Sequence, residues 1–475
     1  MFGLEILAGL FALLVGLHYF FTRNFNYWKN RNVKGPKPTV FFGNLKDSTL
    51  RKEPLALAFQ RIYDDYPKEP FVGIYTTTTP SVLIRDLDLI KHVMIKDFDM
   101  FEDRGVEYSK EGLGANLFHA DGETWRVLRN RFTPLFTTGK LKNMLYLIIE
   151  RGDKFLDYVE TVTTISTCAF GLDIDTTDRS DAILATLDKI DQMIFHRYFL
   201  QEFDMMFPGV LKVLNWSLFP KFFTNFFEGL VTKVVTERNG MPTKSNDFMD
   251  LLLQLKNEDL SLEITSDVIA AQALMFYAAG YETSATTMTF MLYELAKHQH
   301  IQDKLCQEID EVLAKSNNVV TYDTLTQLPY MDKVFDETLR MYPLVDPLQR
   351  NVTQHDYTIP NTDVIIKEGQ TVYVSAIGIH HDETLYPKPE EFDPERFDPK
   401  VAAARHSCAY LPFGVGPRNC IGKFAKVQSR VCILKLLSRF RVELAPSEKE
   451  LTFDNSRLII APAHNFKLKF VPRKK

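Results

Sequence analysis

The residues best equipped for chemistry stand together as Pro412-Phe413-Gly414-Val415-Gly416-Pro417-Arg418-Asn419-Cys420-Ile421-Gly422. An apolar loop with two glycines before its cysteine is wasteful unless backbone must approach another group closely. A helix beginning after Cys420 would turn its N-terminus and free N–H groups toward the sulfur, and both favour a thiolate. The chemistry indicated is therefore a thiolate metal ligand. Phe413 can shield the sulfur from water, and Arg418 can pair with an acidic group. The competing reading is a structural cysteine after a tight loop.

The segment resembles the haem-binding signature of the cytochrome P450 family, F-G-x-G-x-R-x-C-x-G. Phe413, Gly414, Gly416, Arg418, Cys420 and Gly422 meet every fixed position. The resemblance implies haem b (iron protoporphyrin IX) with Cys420 as the axial ligand of the iron. It also implies Arg418 on a propionate, Phe413 and Gly422 beside the sulfur, and hydrogen bonds that tune the metal. One departure is visible. The family pattern continues G-x-R-F-A, whereas here Gly422-Lys423-Phe424-Ala425 is one residue shorter. A residue is roughly 100° of helical phase, so the next helix must absorb the difference at its start.

Other sets fit the same resemblance. Trp125 and Arg129, four apart on one helical face, match W-x-x-x-R, and an indole N–H and a guanidinium can both reach a carboxylate. The family uses them on a haem propionate, and Arg104 and Arg350 fall where related members place further propionate ligands. Ala279-Gly280-Tyr281-Glu282-Thr283-Ser284 resembles the family's A-G-x-(E/D)-T-(T/S) motif. There the acid and the alcohol, here Glu282 and Thr283, relay protons to dioxygen. Gly and Thr are poor helix-interior residues, which predicts a local opening of the hydrogen-bond ladder. Glu337 and Arg340 resemble the E-x-x-R helix, and Pro394-Glu395-Arg396-Phe397 the P-E-R-F that supplies Arg396. This Glu–Arg–Arg set is expected to be structural. Thr133–Lys140 and His380-His381-Asp382 bring the pattern nearest to insect microsomal enzymes of family six, over nearly the whole chain after residue 35. The two histidines are expected on an extended chain, where neighbours point to opposite sides and cannot share a metal.

These residues need elements to hold them. Val82–Ile84 reads as a strand and Asp86–Asp97 as a helix. The stretch from about 120 to 345 is mostly helical in pattern, and Ile264–His298 is its longest helix, apolar on much of its circumference and so expected in the core. Val364–Ile366 and Thr371–Ser375 read as strands on either side of a Lys367-Glu368-Gly369 turn. A last long helix is predicted from about Ile421 to Phe440. The fold class is mainly α with a small β region, the cytochrome P450 fold, with haem between the Gly280 helix and the helix after the cysteine loop.

The net charge of −5 gives no reason to expect nucleic acid. The five cysteines are odd in number and lack C-x-x-C spacing, which speaks against a disulfide framework and a zinc site. Residues 1–21 are apolar apart from Glu5 and His18, enough at roughly 20 residues to span a bilayer core. Arg23, Lys29, Arg31, Lys34 and Lys37 follow, which puts the remainder on the cytoplasmic side. The expected organisation is an anchor at 1–21, a basic, Pro-rich hinge at 22–38 and one catalytic domain at 39–475, on the endoplasmic reticulum membrane.

The resemblance implies insertion of one oxygen atom of dioxygen into lipophilic substrates, xenobiotics foremost. Electrons would come from NADPH through NADPH–cytochrome P450 reductase, with cytochrome b5 as a second donor, because the chain has no G-x-G-x-x-G loop of its own. Lys423, Lys426, Arg430, Arg126, Arg131 and Lys140 form a candidate dock for an acidic reductase. Phe118, Phe276, Ala279, Thr283, Val345 and Leu458 are candidate pocket walls. The aromatic-rich stretch 194–228 fits either a core helix pair or a cap over the pocket. Two other readings stand beside this one. A haem-thiolate isomerase or dehydratase would need no reductase, and no proton relay such as Glu282-Thr283. A non-catalytic variant is suggested by the passage from Leu156 to Cys168, where the family pattern is longer by roughly one to two dozen residues, each about a 1.5 Å rise if helical.

Overall fold

The structure, a computed structural model, describes residues 2–105, 112–157, 186, 210–214, 221–243, 247–256, 265–445, 450–464 and 467–473. The shortening expected before Cys168 and the aromatics of the 194–228 stretch as far as Phe219 lie outside them.

The central helix runs from Ser266 to Lys297, 32 residues, and is capped by the Thr265 side chain, which accepts from the N–H of Val268. It is buried on nearly every side, as its apolar circumference requires. The predicted opening near Gly280 is not there: the helix is continuous. The Thr283 hydroxyl instead donates to the carbonyl oxygen of Ala279 at 2.5 Å, a back-bond that helices tolerate at a small cost.

Around the central helix lie Gly122–Phe132, which carries Trp125, Thr138–Asp157, Lys221–Glu237, and the cysteine helix Lys423–Arg439. Phe223 and Phe227 of Lys221–Glu237 are buried toward this core. Pro329–Met341 carries Glu337, with Pro329 in its first turn, where the missing N–H costs nothing.

A second core forms around a mixed four-stranded sheet. Strands β1 (Phe71–Thr76) and β2 (Thr79–Ile84) form a hairpin. β3 is Leu348–Asn351, β4 Tyr357–Thr358, β5 Ile365–Ile366 and β6 Thr371–Val374. β6 lies between β2, to which it is parallel, and β3, to which it is antiparallel. The strands on either side of Lys367-Glu368-Gly369 therefore join different sheets, since β5 pairs with β4. β7 (Phe440–Leu444) and β8 (Leu468–Pro472) pair at the end of the chain.

The N-terminal helix Phe2–Thr22 is exposed from Leu4 to Phe20, and its Leu4–Thr22 stretch is long and apolar enough to cross a membrane. The 22–38 stretch packs on the sheet. Trp28 is buried, its indole N–H donates to Ile74 O at 3.0 Å, and Gly73 N–H donates to Lys34 O.

Candidate functional site

The cysteine loop is bent by two glycines with positive φ, Gly414 at +67° and Gly416 at +80°. Gly416 has no substitute, because a Cβ there would meet Met94 O at 1.9 Å. Gly422 is confined from the other side: its Cβ would lie 2.8 Å from the Cys420 sulfur and 3.2 Å from the Phe413 ring. Its N–H donates to that sulfur at 3.2 Å. The one-residue shortening falls here. Gly422 adopts an irregular φ of −21°, the first helical bond, Lys426 N to Gly422 O, is stretched to 3.5 Å, and the helix is regular from Lys423 onward.

The Cys420 side chain is accessible to solvent although protein encloses it on most sides, and that burial pushes its thiol up, opposed by the Gly422 N–H, Arg129 and Arg104. Exposure inside an enclosing fold means the sulfur opens on an internal chamber. Ala279, exposed in mid-helix, and the half-buried Gly280 and Thr283 give the central helix a face of the same kind. Phe276 and Phe424, 5.5 Å apart, join the two helices about a turn away from each. Phe276 is thus committed to an aromatic cluster with Phe424, Phe248 and Phe136. Of the other candidate walls, Phe118 and Val345 are exposed and Leu458 is half-buried.

Four guanidiniums gather near the sulfur. Arg129 donates to Asn419 Oδ1 at 2.8 Å. Arg104 donates to Phe118 O at 2.8 Å and toward Arg418 O at 3.4 Å. Arg418 is buried, donates to Ala120 O at 2.8 Å, and has Asp103 and Asp121 at 3.4 and 3.6 Å. Arg350 sits on β3 opposite Val372 and donates to Gln349 O. Trp125 lies beneath Arg418. Burial and then the neighbouring Arg350 and Arg418 hold Arg104 well below its ordinary value, while burial and Arg418 bring Arg350 down to about 10. A guanidinium keeps its proton in a protein, so the cluster holds surplus positive charge. Nε and Nη1 of Arg418 and Nε of Arg350 are buried donors without a protein acceptor, and buried donors require acceptors. A group with two carboxylates and a centre that binds thiolate fits this donor set, and haem b is such a group.

Glu282 is buried. Its Oε1 is paired with Arg457 and accepts from Thr286 Oγ1 at 3.4 Å. Arg457 has no motif around it and lies in a loop far downstream, so sequence reasoning missed it.

The Glu337 set is assembled by geometry. Arg340 donates from Nε to Glu337 Oε2 at 2.7 Å and from Nη2 to Oε1 at 2.9 Å, with both side chains fully buried. Arg396 Nε lies 3.4 Å from the same carboxylate, and Asp393 N–H donates to it. His380 is not on an extended chain. It ends the short helix Ala376–His380, where its ring meets Arg340 O at 3.1 Å through Nδ1 and accepts from Leu411 N at 2.8 Å through Nε2. Burial holds it far below its ordinary value, so a neutral imidazole ties the Glu337 helix to the cysteine loop. Among the described residues no group of three His, Cys, Asp or Glu side chains could hold a metal ion.

The expected basic dock is partly neutralised. Lys426 pairs with Asp332 and Asp336, Arg430 with Asp332, and Arg126 with Asp99 and Glu102.

The family model described as Cytochrome P450 matches residues 33–470. Cytochrome P450 6B1 of Papilio polyxenes is 52% identical over 503 aligned residues, covering 98% of this chain and 99% of that protein. Cytochrome P450 6B7 of Helicoverpa armigera is 50% identical over 505, covering 100% and 99%. Cytochrome P450 6a2 of Drosophila melanogaster is 36% identical over 471, covering 92% and 93%. The alignment with 6B7 is longer than the 475 residues of this chain, so that relative has residues without a counterpart here. A match running from residue 33 to residue 470, at half identity to full-length relatives, settles the matter: the chain belongs to the cytochrome P450 family of haem b monooxygenases.

Proposed function

We propose that this chain is a membrane-anchored monooxygenase acting on lipophilic compounds, xenobiotics foremost, with electrons from NADPH through NADPH–cytochrome P450 reductase and with cytochrome b5 as a second donor. The observation that carries the reading is the meeting of an accessible, N–H-bonded Cys420 sulfur with four guanidiniums, two of which, Arg350 and Arg418, hold buried donors without a protein acceptor.

Cys420 is the thiolate ligand in this reading. The Gly422 N–H steadies its sulfur, and Phe413 keeps water from it. Arg104, Arg129, Arg350 and Arg418, with Trp125, hold the two propionates. Haem b, when bound, supplies the iron that accepts electrons and activates dioxygen. Inserting one oxygen atom and releasing the other as water takes two protons, which an apolar chamber must obtain from side chains. Thr283 presents its hydroxyl oxygen at the chamber while its proton is held on Ala279 O. Glu282, the preceding residue, can pass protons to it. Glu337, Arg340 and Arg396 keep the frame behind the loop.

The exposed apolar helix Phe2–Thr22 supports membrane attachment. The basic residues after it favour a catalytic domain on the cytoplasmic side of the endoplasmic reticulum membrane.

The test is the difference spectrum of the dithionite-reduced full chain with carbon monoxide, followed by turnover with NADPH and reductase. A strongly red-shifted Soret band that Cys420→Ala abolishes is expected, then product formation that needs the reductase. A blue-shifted band or an absence of haem would sink the thiolate assignment. Turnover without reductase would favour the isomerase or dehydratase class.

A further inference from the structure

Glu282 owes its place to a residue from the other end of the chain. Arg457 pairs with its Oε1, and the two side chains are 16% and 11% exposed. Exposed ion pairs contribute little, but a buried charge that loses its partner is costly. The loop that carries Arg457 is fixed to the fold on several sides. Its arms are joined by Asp454 N–H to Ala461 O at 2.9 Å and Ala463 N–H to Thr452 O at 2.8 Å. Its tip is closed by Asp454 Oδ1, which accepts from the Ser456 N–H and hydroxyl. Asn455 donates to Arg51 O, and Ile460 N–H to Leu344 O. Ile459 packs on Ala278 of the central helix. The tip thus holds a guanidinium against Glu282, and its next residue, Leu458, is a candidate wall of the chamber.

We propose that Arg457 is a positioning residue for oxygen activation, holding the Glu282 carboxylate in place so that protons reach Thr283. This rests on the assignment of Glu282 and Thr283 as the relay. Arg457 touches neither dioxygen nor substrate and acts only through Glu282. The loop that shapes the chamber then also sets how efficiently reducing equivalents end in product. When protons arrive badly, the electrons and protons leave as hydrogen peroxide, and dioxygen is reduced without oxidising the substrate.

The test is a cycle of Arg457→Gln, Glu282→Gln and the double variant, with Arg457→Lys as the conservative control. All are measured as haem-loaded, full-length protein with reductase. Peroxide released per NADPH should rise in R457Q by roughly tenfold, a part of the 10²–10⁴ that general acid–base groups contribute, while the spectral response to substrate binding stays unchanged. R457K should restore most of the coupling. In the E282Q background, R457Q should add nothing. That background holds no unpaired carboxylate, so it stays informative even where the single variant fails to assemble. Independently of turnover, the infrared carboxylate band that E282Q removes should move in R457Q and return in R457K. Coupling as in the unchanged protein with an unmoved band, or a further loss on adding R457Q to E282Q, overturns the positioning role. If E282Q alone leaves coupling intact, the relay assignment fails, and this proposal with it.

Discussion

The guanidinium of Arg418 lies over the ring of Trp125, 4.3 Å from its centre, while its Nη2 donates to Ala120 O. One residue comes from the cysteine loop and the other from the helix Gly122–Phe132, so the contact ties two distant pieces of chain. Trp125→Ala removes a buried ring and a cation–π contact. Core truncations of this size cost about 3–5 kcal/mol, and the cation–π contact is worth about 0.5–2 kcal/mol. Trp125→Ala should lose haem and unfold at lower denaturant. Trp125→Phe, which keeps an aromatic face under Arg418, should retain most of both. Haem per protein and the urea midpoint check this.

The Glu337–Arg340 pair makes a different prediction, because neither side chain has any exposure. Arg340 also donates to His380 O and Pro389 O, so its removal leaves a carboxylate and two carbonyls short of donors. Breaking one partner of such a pair costs about 3–5 kcal/mol. Arg340→Met should yield little folded protein. Adding Glu337→Gln should recover part of the loss by removing the unpaired charge. Arg396→Lys, at the rim of the set, should cost less than either. Chemical denaturation of all four proteins ranks them.

These contacts also show what a sequence can carry. The cysteine loop was legible because Gly414, Gly416, Arg418 and Cys420 stand within a few residues and each has a local reason to be what it is. The central helix was legible because its apolar circumference extends over many turns. The β1–β2 hairpin was legible only at the end of its second strand, Val82–Ile84. Its turn runs through Thr77, which takes φ +59°, where hairpins usually show Asn-Gly or Asp-Gly. Its first strand is buried along almost its whole length and gives no alternation to read. Nor was Arg457 legible, since a partner of Glu282 brought in by a distant loop leaves no trace in spacing. The expected helix opening at Gly280 failed for the opposite reason: propensity pointed to a break, and tertiary packing overrode it.

His298 gives the chain a pH-dependent element away from the cysteine loop. It follows the central helix, with Nδ1 3.2 Å from Glu294 Oε2. Its hydrogen bond to Glu294 raises it above the ordinary 6.5, against the opposing effect of burial. A folded value above the unfolded one means the fold gains from the protonated ring. That gain is complete below 6.5 and is lost as pH rises through the folded value. His298→Gln should therefore destabilise at acidic pH and converge with the unchanged protein at alkaline pH. Denaturation midpoints across pH test the sign, and a difference that grows toward alkaline pH would refute it.

The arginine cluster leads to two effects of opposite sign from one substitution. Without an anionic group between them, Arg104, Arg350 and Arg418 repel, and burial strengthens the repulsion. Removing Arg350 relieves that repulsion, so the haem-free protein should gain stability. With haem bound, the same guanidinium and its otherwise unpaired Nε would face a propionate, and charge-assisted hydrogen bonds of this kind are about twice as strong as neutral ones. Arg350→Met should therefore raise the unfolding midpoint of haem-free protein and lower haem retention. Haem with its propionates esterified should bind the unchanged protein more weakly and distinguish the two proteins less. If Arg350→Met moves both forms in the same direction, Arg350 is a scaffold residue of β3 and not part of the propionate site.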